Sequence, residues 1–147
     1  MSAWATICIT VAVFTMAGCE RPSSLHVVVP SGYRGVFKVG ESPGASAPPR
    51  KHDGTVVLNI PASGVLMIPD TRPLEHVRSL TAEFSSGETL ASPMLPMTPP
   101  YGPQIVLRQM SADSHGWFYF FIGSEAEIAQ LFQSNDYRLG GVTNSTP

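Results

Sequence analysis

A single β-sandwich of about seven short antiparallel strands, closed by one short C-terminal helix, is the fold this chain predicts, and three observations predict it. The 147 residues include 14 prolines and 13 glycines, a density of turn formers that divides a chain into many short elements. Between the turns, residues alternate apolar with polar or form β-branched runs, as half-buried strands do. Near the end, Trp117-Phe118-Tyr119-Phe120-Phe121-Ile122 is apolar or aromatic on both faces, which marks a central strand covered on either side.

The elements follow in order. Residues 25–29 form a β-branched run that breaks at Pro30-Ser31-Gly32-Tyr33-Arg34 and resumes at 35–39, which reads as a hairpin. Residues 55–60 and 65–68 flank Pro61-Ala62-Ser63-Gly64 and read as a second hairpin, its glycine supplying a positive φ. Residues 76–84 put Leu80, Ala82 and Phe84 on one face with Arg78, Thr81 and Glu83 between them, and 105–110 is similar. After the aromatic strand, Ser124 and Glu127 make a capping-box pattern before Ile128, Leu131 and Phe132 recur on one helical face. At little more than two turns, that helix must draw its stability from packing on the sheet. Two proline-rich stretches fall outside the strands: 40–54, and 91–103 with its five prolines, expected to cross between strands in extended form.

The start of the chain is organised differently. An uncharged apolar run from Ala3 to Ala17 turns polar at Glu20-Arg21-Pro22-Ser23-Ser24. About 15 apolar residues match the core of an export signal, whereas a spanning helix needs about 20. Met16-Ala17-Gly18-Cys19 resembles the lipobox of bacterial lipoproteins, which implies cleavage before Cys19 and attachment of diacylglycerol, with palmitate-type chains, to its thiol. The region before the apolar run lacks Lys and Arg, and Met16 stands where leucine is commoner. By the same resemblance, Glu20 in the following position implies an outer-membrane destination, on the periplasmic face, in a Gram-negative host. The implied division is a leader at 1–18, a lipidated linker at 19–24, the sandwich at 25–138 and a frayed tail at 139–147. The 2 cysteines are Cys8 and Cys19, so a mature chain keeps one thiol and no disulfide.

Charge limits the partners. Lys plus Arg number 9 against 11 Asp plus Glu, and no basic cluster exceeds Arg50-Lys51. A nucleic-acid binder would carry a basic stripe to neutralise phosphates, so nucleic acid is not expected as a partner. The expected partners are the membrane, through the N-terminal lipid, and an envelope protein or glycan.

A second resemblance covers most of the mature chain. Val29-Pro30-Ser31-Gly32-Tyr33-Arg34-Gly35, Asp53-Gly54, Ile60-Pro61-Ala62-Ser63-Gly64-Val65 and Phe121-Ile122-Gly123 look like a group of small bacterial exported domains with no assigned activity. The Asp-Gly, strand, Pro-x-x-Gly, strand progression is also similar to transthyretin-like regulatory modules of carboxypeptidases. Both resemblances imply architecture alone.

Candidate chemistry is sparse. His26, His52, His76 and His115 are scattered, and only Asp113-Ser114-His115 offers a close acid–histidine pair, in a stretch that reads better as a turn. Met94 and Met97, with Met67 and Met110 elsewhere, are thioethers of the kind that bind Cu(I), although gap filling is their commoner role. No Gly-x-Ser-x-Gly elbow occurs, and a serine without a positioned base is inert. Neither a metal nor another cofactor is expected, and no catalytic residue is assigned. Tyr33 and Arg34, with Tyr101, are candidates for an aromatic and cationic rim contacting glycan or peptide. The alternative for Tyr33 is a packing lid with one apolar ring and one wet hydroxyl. A lipid-anchored, noncatalytic binding or scaffold domain is the leading expectation. The others are an exported hydrolase using His115 and Asp113, and a metal-handling protein.

Overall fold

A computed structural model of the chain describes residues 23–93 and 102–134. The leader, Cys19, Met94, Met97, Tyr101 and the tail lie outside the described residues. The described part is mainly β, with two four-stranded sheets and one short C-terminal helix. The first sheet holds β1 (Ser23–Val29), β3 (Val56–Asn59), β5 (Val77–Phe84) and β6 (Thr89–Leu90) in the order β3-β1-β5-β6. The second holds β2 (Gly35–Glu41), β4 (Val65–Ile68), β7 (Ile105–Ala112) and β8 (Phe118–Ser124) in the order β4-β2-β8-β7. A 3-10 turn at Arg72–Leu74 precedes β5, and α1 (Glu125–Ser134) follows β8.

Among the described residues the strand count is eight, and the pairing is mixed where the sequence suggested an antiparallel sandwich. β1 pairs in parallel with both β3 and β5, and β2 pairs in parallel with β4. The antiparallel ladders are β2 with β8, β7 with β8 and β5 with β6. Neither expected hairpin forms. β1 and β2 belong to opposite sheets, as do β3 and β4, so each connection is an arch across the core. The physical reason lies in the linkers and in the inward faces. Sheets pack about 10 Å apart against about 4.8 Å between neighbouring strands, and the five-residue linkers 30–34 and 60–64, carrying Pro30 and Pro61, span that gap. Pro30, straight after β1, also lacks the N–H that a hairpin ladder would use there.

The strand alternation then fills one core. Leu25, Val27 and Val29 from β1 and Leu58 from β3 meet Phe37 and Val39 from β2 and Phe118, Phe120 and Ile122 from β8, all buried. Phe37 and Phe120 stack with ring centroids 5.0 Å apart and planes 5° from parallel. β8 is central, as its two apolar faces require. Its other face supplies Tyr119 and Phe121 to a second, smaller cluster with Val36, Val106 and Ile128 of α1, so part of the outer side of this sheet is covered as well. Phe132 departs from the expected helical face, being 49 % exposed while Ile128 carries the burial.

Strand directions give the molecule two distinct ends. β1 leaves Ser23 and crosses at 30–34, and β2 returns, so Glu41 comes back beside the start of β1. There Glu41 accepts hydrogen bonds from the Thr71 amide and hydroxyl at 3.2 and 3.1 Å, and the Ser23 amide donates to the His76 carbonyl at 2.8 Å. β8 runs against β2 and therefore starts at this same end, after the turn at 113–117. The opposite end carries the two arches, the turn at 85–88 and α1.

Candidate functional site

At the arch end, local chemistry sets the site. The Tyr33 amide donates to the Pro30 carbonyl at 3.0 Å, closing a turn in which Gly32 takes φ +72°, a conformation that side-chain-bearing residues rarely adopt. That turn drives Tyr33 inward. Its ring is buried edge-on to Phe37 at 6.3 Å, and its hydroxyl donates to the Val36 carbonyl at 2.9 Å. Burial pushes the Tyr33 phenol above its ordinary pKa. Tyr33 is thus placed as the lid of the sandwich, while the next residue, Arg34, is left at the surface.

Arg34 reaches across to α1 and pairs with Glu127 at 2.6 Å. Glu127 also closes the capping box expected from sequence: its carboxylate accepts from the Ser124 amide at 2.6 Å and hydroxyl at 2.9 Å, and the Ser124 hydroxyl accepts from the Glu127 amide at 3.3 Å. Partial burial works to raise the Glu127 carboxyl. The Ser124 hydrogen bonds and the Arg34 guanidinium outweigh it, so its pKa lies below the ordinary 4.5. Between the arch and the helix lies a recess of about 370 Å³ with Arg34 and Glu127 on its rim and Phe121, Leu131 and Ser134 along its walls. It offers one ion pair, exposed polar atoms and an apolar wall in a single concavity.

A larger cavity of about 610 Å³ opens at the other end, between the outer edge of β7 and the segment Thr71 to Glu75. Arg108 lines it, yet that guanidinium is occupied: it donates to the Pro93 carbonyl at 2.9 Å and forms a buried ion pair with Glu125. The Ser111 hydroxyl, also in the lining, is buried without a hydrogen-bond partner. Asp113 serves the turn. One carboxylate oxygen accepts from the His115 and Trp117 amides at 2.8 and 3.0 Å, and the other from the Tyr119 hydroxyl at 2.8 Å. Desolvation works to raise the Asp113 pKa, and these three hydrogen bonds bring it below 3.8 all the same. The contact between Asp113 and His115 runs through a main-chain amide, which gives a turn and not an acid–base pair. Among the described residues, no three His, Cys, Asp or Glu side chains gather as a metal site would need.

Sequence reasoning missed two arrangements. The Arg108–Glu125 pair joins β7 to the first turn of α1, and nothing in the spacing of 108 and 125 signals it. On the open part of the second sheet, Trp117 lies over Gly40 with the Lys38 ammonium 4.5 Å from its ring centroid. The bare glycine beside an alternating strand was the available signal.

No protein-family description matches the chain, and no curated protein matches it. Among solved structures, one described as "Putative Lipoprotein from Bacillus anthracis" is similar at 12 % identity and a TM-score of 0.40, over 80 % of this chain and 97 % of that one.

Proposed function

We propose that this chain is a lipid-anchored protein of the cell envelope whose sandwich is a noncatalytic binding or scaffold module. The observation that carries the reading is the apolar leader ending in Met16-Ala17-Gly18-Cys19, with β1 beginning at Ser23, so a cut before Cys19 removes no described strand. The anchoring follows from burial of acyl methylenes at about 0.8 kcal/mol each, which makes attachment stable once two or more chains are present. Binding is assigned to the Arg34–Glu127 recess, where a charged rim beside Phe121 and Leu131 suits a peptide segment or a sugar of an envelope partner.

Fractionation of cells expressing the full-length chain tests the anchor. Wild-type protein is expected in the membrane fraction with an intact mass that includes acyl chains. Cys19→Ala is expected to leave that fraction and to carry no acyl mass. A Cys19→Ala protein that stays fully membrane-bound at unchanged length, or a wild-type product that still begins at Met1 unmodified, would overturn the reading.

A further inference from the structure

Resting on the lipid anchor proposed above, the strand directions also determine which way the domain faces. We propose that the end of the sandwich carrying Ser23, the loop 42–55, the segment 70–76 and the turn 113–117 abuts the lipid surface, and that the arches and α1 point away from it.

The argument begins with the tether. Ser23, the first residue of β1, lies four residues beyond Cys19. Even fully extended, four residues span only about 14 Å. The start of β1 is therefore held within that distance of the acyl attachment point. Because β3 and β5 run parallel to β1, and β8 antiparallel to β2, four strands begin at this end. Strands of seven or eight residues put the opposite end about 25 Å further out.

The near end carries both signs of charge. The loop 42–55 exposes Arg50, Lys51 and His52 beside Asp53, and Arg72 there is paired with Asp70, so the tether and not the net charge sets the contact. The outer face of the first sheet is the alternative contact, and it presents Thr81 and Glu83 hydrogen-bonded or paired with His26. The orientation has a consequence for the two concavities. The 610 Å³ cavity, lined along the edge of β7, includes near-end residues Asp113 and Gly116, and the Arg34–Glu127 recess lies at the far end, where a soluble or peptidoglycan-side partner can reach it.

Single-cysteine labelling of the full-length, acylated protein tests the orientation. Once the leader is cleaved and Cys19 acylated, an introduced cysteine is the one free thiol of the chain. Ser46→Cys and Ser114→Cys report on the near end, and Ala62→Cys and Ser86→Cys on the far end; all four positions are exposed. Each fluorophore-labelled protein is reconstituted in phosphatidylethanolamine–phosphatidylglycerol vesicles containing headgroup spin-labelled lipid. Near-end labels are expected to be quenched at least threefold more than far-end labels. Equal quenching at both ends, or stronger quenching at 62 and 86, overturns the orientation while an acylated intact mass leaves the anchor standing. A product with no acyl mass overturns the anchor, and the orientation with it. Two positions at each end keep the comparison decisive if one variant fails to fold.

Discussion

Gly40 shows how much a single missing side chain decides. A Cβ built there would stand 2.5 Å from the Trp117 ring, so the indole can lie against the strand only over a glycine. Gly40→Ala is expected to cost about 1–3 kcal/mol through overpacking, read as a lower denaturant midpoint. Trp117→Leu in the same background should recover most of that loss, because the clash is with the ring. Arg108 and Glu125 make a different point. Both are nearly inaccessible, at 7 % and 6 % exposure, so each charge relies on the other in a medium that solvates neither. Glu125→Gln leaves an uncompensated guanidinium and is expected to lose about 3–5 kcal/mol, whereas Arg108→Met with Glu125→Leu should stay close to wild type. Thermal melts of the single and double variants separate the cost of an orphaned charge from the net contribution of the pair.

At the level of elements, α1 is the piece most dependent on its terminus. Ten residues are marginal as an isolated helix, and only Glu125 and Ile128 are buried along it. The capping box and the Arg34 pair therefore fix where it starts. Glu127 has a pKa below its unfolded value, so its stabilisation is present above about pH 4.5 and is lost as the pH falls through the folded value. Glu127→Gln can still accept the capping hydrogen bonds and should flatten the acid side of a melting-temperature profile between pH 3 and 7. A profile as steep as wild type would remove Glu127 from the acid response. The cap itself was readable from Ser124 and Glu127, since its chemistry is local. The arches were not, because a Pro-to-Gly linker between two β runs is compatible with a hairpin or with a crossing. The choice is made by which neighbours cover Val27, Val29, Phe37 and Val39, and those neighbours lie far along the chain.

The whole molecule is polar in the sense of having two unlike ends. On the proposed lipid anchor, Cys19→Ala is expected to move the protein from membrane to soluble fractions, and the short reach from Cys19 to Ser23 ties the fold's direction to that proposed attachment. Arg34→Glu, which sets two carboxylates against each other at the mouth of the recess, is expected to weaken recovery of any envelope partner at least tenfold in crosslinked pull-downs and to lower the melting temperature modestly through the lost pair. Unchanged recovery would move the binding surface away from Arg34. Of the three rim candidates, Arg34 alone is placed at a concavity. Tyr33 is turned into the core, and Tyr101 lies outside the described residues.

Local pattern alone determined the fold class of this protein: strand alternation, turn residues and an aromatic central run specify a sandwich. These are properties of residues near one another in the chain, where propensity and periodicity act directly. Tertiary structure decided which strands pair, in which direction, and what stands beside Arg34. Parallel pairing of β1 with β3 and β5, the Arg108–Glu125 pair and the seat of Trp117 on Gly40 join residues distant in sequence. Their energies come from desolvation and close packing, which exist only once the sheets have met.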